Sequence, residues 1–473
     1  MSRSHPGDVA IVGMACIFPG APDVQTYWEN IVSKVDAIRD PPEDWEAELF
    51  YDPDSSENDR IYCKRGGYLG DLARFDPLRY GVMPASIDGG EPDQFLALRV
   101  AHEALADAGY LERPFDRERA EVIIGRGTYI NRGFTTVVQH GLVVDQVLRL
   151  LRQLHPEHSE EELQSLKREL KESLPPFNAE MAPGLVPNVI SGRIANRLDL
   201  MGANYTMDAA CASSLVAVER AMEDLRLGKC DLALAGGVHA STPPPILQIF
   251  CQLGALSRRG ELRSFDADAD GTLLGEGLGF AVLKRRADAE RDGDRVYAVI
   301  KGIGVASDGR ALGLLEPRVE GEALALRRAY ETAAISPESV ELIEAHGTGT
   351  QVGDVAEIQA LREVFGPRNA GPPRCAVGSV KSMISHPIPA AGIAGIIKTA
   401  LALYEKVLPP TLCDTPNPKL ELEKTPFYIN TETRPWIHGG SAPRRAGVNA
   451  FGFGGINAHA ILEEPSAGGE AAG

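Results

Sequence analysis

The sequence predicts an α/β protein whose sheets are largely buried. Short apolar runs rich in β-branched residues alternate with longer stretches that carry apolar residues at helical spacing. Of the 473 residues, 44% are hydrophobic and 24% are charged, a composition typical of soluble globular proteins and sufficient for a large core. No apolar run reaches the roughly 20 residues that a membrane span needs.

Predicted strands occupy the short apolar runs, several of which end at a glycine or another small residue: 9–12, 121–124, 205–209, 232–235, 280–283, 297–303, 342–345 and 376–380. Between them, helical periodicity is clearest over 213–227, 321–334 and 391–407. This order allows two similar strand-rich halves, although no internal repeat is visible in the sequence.

Segment 141–185 interrupts the alternation with a charged stretch. Its leucines recur at helical spacing, and Ser159 followed by Glu162 is the pattern of a capping box. A Pro-Pro pair at 175–176 ends the pattern. We predict an inserted amphipathic helix that packs on the surface, in preference to a dedicated partner site. The last residues, 464–473, are predicted to form a linker-like tail.

Charge and cysteine usage exclude several classes of protein. Lys and Arg number 48 against 66 Asp and Glu, and the net charge of −18 disfavours nucleic acid and anionic membranes as partners. The seven cysteines are scattered with no CxxC pair, so neither a disulfide framework nor a zinc site is predicted. Reduced thiols and an N-terminus without the features of a signal peptide favour a cytoplasmic location.

Cys211 is the first candidate for chemistry. It lies where a predicted strand turns into a helix and is followed by the small residues Ala212, Ser213 and Ser214. A thiol at a helix N-terminus is close to the positive end of the helix dipole and to free N–H groups, so we expect its pKa to be lowered. The alternative is a buried structural thiol, because free cysteines are commonly buried.

Two histidines lie in loops that follow predicted strands. His346 lies in EAHGTGTQVGD, where glycines let a ligand approach the backbone closely and Thr348 and Thr350 add hydroxyl groups. His386 lies in KSMISHPIPAAGIAGIIK, five residues after Lys381. A lone histidine is more often structural, but functional residues concentrate on loops of this kind.

Four glycine-rich patterns resemble ligand or gating segments. In NAFGFGGINAH (449–459), Phe451 and Phe453 could close a mobile loop, and a tight turn into a strand is the alternative. The run FDADADGTLLGEG has Gly277 where a calcium loop needs a bidentate glutamate, so calcium is rejected. GEGLGF and GRGTYINRG lack the spacing of a dinucleotide fingerprint.

Four motifs together resemble one family: DAACASSL, EAHGTGTQVGD, KSMISHPIPAAGIAGIIK and NAFGFGGINAH occur in the order found in β-ketoacyl synthases. The segments AIVGMACIFPGA and SFDADADGTLLGEG are similar to the same family. The resemblance covers about residues 8–463 and is strongest to ketosynthase domains of polyketide synthases and polyunsaturated fatty acid synthases. It implies a thiolase-like fold of two fused α/β halves, in a layered α-β-α-β-α arrangement, and a homodimer. The halves are expected over 8–265, which holds Cys211 and the insert, and over 266–463, which holds both histidines and the Gly-Phe loop.

The resemblance implies a catalytic role for three of these residues. Cys211 matches the nucleophile that carries the acyl chain, and His346 and His386 match the histidines that act on a malonyl-type extender. Lys381 matches the lysine that supports the region of the second histidine, and Glu357 matches an acidic residue near that lysine. A thiolate is a good nucleophile and leaving group for acyl exchange, and two imidazoles can stabilise the enolate formed by decarboxylation.

Further residues match the binding elements of the family. Phe453 matches the gating aromatic whose backbone N–H joins that of Cys211 in an oxyanion hole. Thr348 and Thr350 match positions that contact the phosphopantetheine arm. The resemblance implies no metal and no permanently bound cofactor, because the substrates are carried on the phosphopantetheine of an acyl-carrier protein.

The segment around His386 departs from the family pattern. The family often has Asn, Gly and Thr where this chain has Met383, Ser385 and Pro387. Pro387 biases His386 towards an extended backbone and removes a hydrogen-bond donor. Ala212 stands where many members have Ser, and we expect little consequence of that change.

The implied activity is a decarboxylative Claisen condensation. A non-elongating ketosynthase that transfers acyl chains or acts as a scaffold is the alternative. Such domains commonly lack one of the histidines, whereas His346 and His386 are both present here. A Cys–His hydrolase is a third possibility, which release of free acid without any extender would favour.

An acyl-carrier protein and neighbouring synthase domains are the implied partners. Carrier proteins are typically acidic, so a local basic patch is expected despite the net negative charge. Arg258 with Arg259, and the run 284–286, are candidates, with ordinary surface charge as the alternative.

Overall fold

The structure, a computed structural model, describes residues 7–43, 46–127, 132–310, 313, 315–368, 371–440 and 442–465. Most of the predicted tail and the middle of GRGTYINRG lie outside these residues. The strands are β1 (Val9–Ile17), β2 (Ala120–Gly125), β3 (Asn204–Met207), β4 (Leu232–His239), β5 (Gly277–Arg285), β6 (Ala298–Ser307), β7 (Leu342–Glu344), β8 (Cys375–Gly378), β9 (Val407–Leu408), β10 (Phe427–Ile429), β11 (Arg434–Pro435), β12 (Arg445–Gly452) and β13 (Ile456–Glu463). The helices are α1 (Val24–Val32), α2 (Ala85–Gly89), α3 (Pro92–Asp107), α4 (Arg132–Val138), α5 (Val144–Leu154), α6 (Glu160–Ser173), α7 (Val189–Leu198), α8 (Ser213–Arg226), α9 (Pro244–Gln252), α10 (Arg286–Asp292), α11 (Val319–Ala333), α12 (Gln351–Phe365), α13 (Lys381–Ile384) and α14 (Ala391–Glu405).

One topology occurs twice along the chain. The described strands form an eleven-stranded sheet in the order β10-β8-β7-β12-β13-β6-β1-β5-β4-β2-β3. In the first set, β2 runs parallel to β3 and β4, and β5 runs antiparallel to β4 and β1. In the second set, β7 runs parallel to β8 and β12, and β13 runs antiparallel to β12 and β6. The two sets meet where β1 pairs with β6. By its pairing with β1 and β4, β5 belongs to the first set, although it lies C-terminal to the predicted boundary at 265/266.

Helices cover the strands on both sides and also lie between the two sets. α3 packs on β1 and β5, and α11 packs on β6 and β13. α8 contacts β2 and β4, while α14 contacts α8, β5 and β12, so this pair forms the inner layer. Gly392 makes the inner contact possible, because a Cβ there would lie 2.9 Å from the backbone nitrogen of Leu215. The predicted layered α/β arrangement is confirmed.

α14 is the most apolar helix of the inner layer. The stretch Ile388–Glu405 is long and apolar enough to cross a membrane, but almost all of it is buried inside the protein. Its apolar composition is that of a helix surrounded by other elements on every side.

The insert forms a pair of helices rather than a single one. In α6 the predicted capping box is present, because the Ser159 hydroxyl accepts the N–H of Glu162 at 3.2 Å and the Glu162 carboxylate accepts the N–H of Ser159 at 2.8 Å. Leu163 packs against Val144 and Leu148 of α5. The preceding helix α5 was not predicted, and it supplies the apolar surface on which Leu163 of α6 is buried.

The Gly-Phe motif is a hairpin. β12 and β13 pair along their whole length and are joined through Gly454 and Gly455, both of which have positive φ. The tight turn leading into a strand, given as the alternative, is therefore the observed structure, and the mobile loop is not. β10 and β12 were not predicted.

Candidate active site

A cavity of about 270 Å³ brings seven of the eight predicted site residues together. They come from the segments that follow β3, β7, β8 and β12. These residues are Cys211, His346, Thr348, Thr350, Glu357, His386 and Phe453. The eighth, Lys381, lies behind the cavity at the start of α13 and is 2% exposed.

Cys211 is held in a strained turn at the N-terminus of α8. Ala210, the residue before it, has φ of 49°, a left-handed conformation that is uncommon for alanine. The turn fits closely against the end of β2, because a Cβ on Gly125 would lie 2.4 Å from the carbonyl carbon of Ser213. Small side chains therefore let the strand end and the start of the helix approach each other.

The thiol of Cys211 is buried, and burial raises its pKa to about 11. The positive charge of Lys381 and the backbone N–H groups of Phe453 and of Cys211 itself, both bonded to the sulfur, lower the pKa but do not offset burial. The expectation of a lowered pKa is wrong, because a helix N-terminus stabilises a thiolate by less than the loss of water destabilises it.

Two buried carboxylates hold the loop that carries His346. Glu357 of α12 accepts the backbone N–H of His346 at 2.7 Å and that of Gly347 at 2.8 Å. Asn449 of β12 donates its side-chain N–H to the same carboxylate at 2.7 Å. Asp354 accepts the N–H of Gly349 at 3.2 Å, and burial raises its pKa to about 7. Neither Asp354 nor Asn449 was predicted as a site residue.

The ring of His346 has a defined tautomer. The backbone N–H of Phe451 donates to its Nδ1 at 3.4 Å, so the proton of the neutral ring lies on Nε2. Burial, Lys381 and His386 together hold the pKa of His346 well below its usual range. The imidazole is therefore neutral at physiological pH and presents an N–H donor to the cavity.

His386 lies beside His346 and is also neutral. The two rings are perpendicular, with centroids 5.2 Å apart. Burial and the charge of Lys381 hold the pKa of His386 well below its usual range. Both of its ring nitrogens are buried and have no hydrogen-bond partner among the described residues, although the ring lines the cavity. An unsatisfied buried imidazole in a cavity indicates that a ligand supplies its partner.

His386 lines the cavity although the residues around it differ from the family pattern. Its backbone N–H donates to the carbonyl of Leu273 at 2.8 Å, and its carbonyl accepts the N–H of Gly275 at 2.9 Å. These two bonds fix the backbone despite Pro387. Ser385 has φ of 64° and ψ of −174°, a conformation that belongs to glycine, and its hydroxyl is buried with no partner among the described residues.

Lys381 contributes charge from behind the cavity. It lowers the pKa values of His346, His386 and Cys211, and burial lowers its own pKa. The turn before it is fixed by Glu344, which accepts the N–H of Val380 at 2.8 Å.

Phe453 and the threonines form the outer part of the cavity. Phe453 is 40% exposed at the tip of the hairpin, and its ring stacks on Phe250 with centroids 5.7 Å apart. The hydroxyls of Thr348 and Thr350 are 3.3 Å apart. Gly452 lets the hairpin reach the nucleophile, since a Cβ there would lie 3.1 Å from the nitrogen of Cys211.

The structure does not provide a free basic patch at 284–286. Lys284 is bonded to Asp292 and Asp294, each at 2.7 Å, and is itself buried. Arg285 and Arg286 are paired with carboxylates in the same way. That candidate is therefore wrong as a carrier-docking surface, because the run stabilises the fold.

The other basic candidate is also engaged with its surroundings. Arg258 lies over the ring of Tyr62 at 4.0 Å, and Arg259 lies 3.4 Å from a carboxylate oxygen of Asp268. Within the described part of the chain, no group of three or more His, Cys, Asp or Glu side chains is arranged to hold a metal ion.

Family models match nearly the whole chain. Models described as "Beta-ketoacyl synthase, N-terminal domain", "Beta-ketoacyl synthase, C-terminal domain" and "Ketoacyl-synthetase C-terminal extension" match residues 7–289, 297–413 and 416–471. One subunit of the polyunsaturated fatty acid synthase of Thraustochytrium sp. is 38% identical over 466 residues, which cover 96% of this chain and 16% of that protein. Polyketide synthase PksL of Bacillus subtilis is 36% identical over 465 residues, covering 98% of this chain and 9% of that protein. This chain thus spans a small part of the length of either synthase.

Solved ketosynthase structures have the same fold. The ketosynthase from module 6 of the bacillaene synthase of Bacillus subtilis 168 superposes with a TM-score of 0.80 at 35% identity, covering 97% of this chain and 72% of that one. The oxazolomycin ketosynthase domain OzmH KS7 of Streptomyces albus superposes with a TM-score of 0.82 at 32% identity, covering 97% and 74%. These similarities confirm the predicted thiolase-like fold.

Proposed function

Because this chain belongs to the β-ketoacyl synthase family, we propose that it catalyses the decarboxylative condensation of an acyl group on Cys211 with a malonyl-type extender on an acyl-carrier protein. The observation that carries the proposal is the shared cavity of Cys211, His346 and His386, in which both imidazoles are neutral. A thiol nucleophile and two N–H donors are the groups that this reaction needs.

In the first step, the sulfur of Cys211 attacks the carbonyl carbon of an incoming acyl thioester. We assign the stabilisation of the tetrahedral oxyanion to the N–H groups of Cys211 and Phe453, whose hydrogen bonds to the sulfur lower its pKa. The bond from the acyl carbon to the carrier sulfur breaks. The carrier thiolate takes up the proton that the Cys211 thiol gives up, and the acyl group remains on Cys211.

In the second step, the malonyl thioester loses carbon dioxide. The C–C bond to the carboxylate breaks, and its electron pair forms an enolate whose oxygen accepts hydrogen bonds from the Nε2–H of His346 and from His386. The lowered pKa values of both rings serve this role, because a neutral imidazole donates a hydrogen bond without surrendering its proton to the enolate.

In the third step, the enolate carbon attacks the acyl carbon on Cys211. The new C–C bond forms, and the bond from the acyl carbon to Sγ breaks with its electron pair on the sulfur. The charge of Lys381 lowers the pKa of Cys211 and so favours the departing thiolate, which then takes up a proton from the solvent. The product is a β-ketoacyl group on the carrier.

The non-elongating alternative is the second candidate, and its main support is the set of departures at Met383, Ser385 and Pro387. The position of His386 in the cavity favours elongation over it. We further propose that the protein works as a homodimer in the cytoplasm, with no cofactor of its own, alongside neighbouring synthase domains and an acyl-carrier protein that bears the phosphopantetheine.

Intact-protein mass spectrometry tests the proposal. The protein is incubated with an acyl thioester and then with malonyl-carrier protein, with Cys211→Ala as the matched control. We expect an acyl adduct that is absent from the control and is consumed to give β-ketoacyl-carrier. An adduct that persists after the extender is added would support the non-elongating alternative, and an adduct that is hydrolysed without extender would support a hydrolase.

A further inference from the structure

Glu322 is a buried carboxyl group that the condensation does not use. It lies in the first turn of α11, is 2% exposed, and lines the same cavity as Cys211. Its Oε2 atom has no hydrogen-bond partner among the described residues. A buried carboxyl oxygen without a partner costs free energy, so its presence at the wall of a ligand cavity requires a compensating contact.

Among the described residues, no cation of the cavity wall compensates Glu322. None of the described residues that line the cavity is a lysine or an arginine. Its electrostatic neighbours are Glu357 and Asp308, which are also acidic. Both have partners of their own, since Glu357 holds the His346 loop and Asp308 accepts the side-chain N–H of Asn457 at 2.7 Å. Of these three carboxyl groups, only that of Glu322 has a buried oxygen without a partner among the described residues.

The surroundings of Glu322 favour the protonated form of its carboxyl group. Burial and the two acidic neighbours raise its pKa well above the usual value. A neutral carboxyl group offers one O–H donor and a carbonyl acceptor. The group that matches both is an amide, which offers a carbonyl acceptor and an N–H donor.

We propose that the Glu322 carboxyl group hydrogen-bonds an amide of the phosphopantetheine arm and so selects carrier-bound thioesters over simple ones. The inference rests on the proposed function, because it takes the cavity to be the route of the arm to Cys211. The arm is the part common to the acyl donor and the extender, and it contains two amides. The neighbouring Glu357 holds the loop that leads to Thr348 and Thr350, and both threonines line the same cavity as Glu322.

The test compares one acyl group on three leaving groups: pantetheine with two amides, N-acetylcysteamine with one, and ethanethiol with none. The second-order rate constant of Cys211 acylation is measured by intact mass for the wild type, Glu322→Leu, Glu322→Ala and Glu322→Gln. Glu316→Leu is the matched control, because Glu316 is an exposed carboxylate on the same cavity.

We expect Glu322→Leu and Glu322→Ala to slow acylation from the pantetheine thioester about tenfold, while the rate from the ethanethiol thioester changes less than twofold. Glu322→Gln keeps a donor and an acceptor and should keep the preference for amide-bearing substrates. The N-acetylcysteamine thioester shows which amide contacts Glu322. If the variants also slow acylation from this substrate, the contact is with the amide nearer the sulfur.

If Glu322→Leu and Glu322→Ala slow acylation equally from all three substrates, the inference is overturned in favour of a structural role. It is also overturned if both variants keep the wild-type preference for pantetheine over ethanethiol. An equal effect of Glu316→Leu would also overturn it, because the cause would then be the acidity of the cavity. If no substrate acylates wild-type Cys211, the proposed function fails as well, which separates that outcome from failure of the Glu322 contact alone.

Discussion

Raising the pH should activate the Cys211 thiol steeply and without a plateau near neutrality. The pKa of about 11 means that the thiolate is only about one part in 10⁴ at pH 7. Each pH unit should then raise the thiolate concentration about tenfold, so that reaction with a small neutral alkylating agent becomes about 100-fold faster between pH 7 and pH 9. A cysteine whose pKa is lowered to about 7 by a helix N-terminus would gain only about twofold over the same range.

The assay is iodoacetamide alkylation followed by peptide mass spectrometry, which reads Cys211 apart from the other six cysteines. The Cys211→Ala protein shows that the quantified peptide reports the intended residue. Circular dichroism at each pH establishes that the fold is retained. A rate that levels off below pH 8.5 would refute the reasoning, because it would show that the N–H groups and Lys381 outweigh burial.

Three further variants test separate parts of the structure. Lys381→Met removes the charge that lowers the pKa of Cys211, so alkylation at pH 8 should slow by about tenfold; an unchanged rate would show that the lysine acts only through packing. Ser385→Gly relieves the strain of the positive φ at this position. After the entropy cost of glycine is subtracted, the free energy of unfolding measured in urea should rise by about 1 kcal/mol. A less stable variant would show that the backbone at Ser385 is not strained. Leu163→Ala removes the buried leucine between α5 and α6 and should lower the local stability of this helix pair by about 2 kcal/mol. Amide hydrogen exchange in both helices should therefore become faster, while the rate of Cys211 acylation stays unchanged. Slower acylation would show that the insert supports the site.

The fold class follows from local patterns, whereas its symmetry does not. β1, β4 and β6 are buried on both faces, so they read as continuous apolar runs and could be recognised in the sequence. β12 contains two glycines and an asparagine, and β10 is only three residues long, so neither has such a run. The repeated topology of the two halves lies in which strands pair, which no local pattern records.

The candidate site, too, could be predicted only in part from the sequence. Cys211 and His346 lie in short motifs with a chemical meaning of their own, and the structure places both in one cavity. Asp354 ends the motif EAHGTGTQVGD and Asn449 begins NAFGFGGINAH, but neither was recognised as a site residue within its motif. Glu322 is an ordinary helix residue by pattern, and the roles of Asn449 and Glu322 arise from neighbours that are distant in sequence. The direction of the Cys211 pKa shift could not be predicted, because it depends on how completely the folded chain excludes water from the sulfur.

Single-turnover condensation tests the central claim most directly. Protein acylated beforehand on Cys211 is mixed with malonyl-carrier protein, and β-ketoacyl-carrier and remaining acyl-enzyme are quantified together for the wild type and for His386→Ala. We predict that the wild type converts acyl-enzyme into β-ketoacyl-carrier with release of carbon dioxide, while His386→Ala accepts the acyl group and then retains it. Wild-type acyl-enzyme that persists in the presence of extender would contradict the proposed condensation.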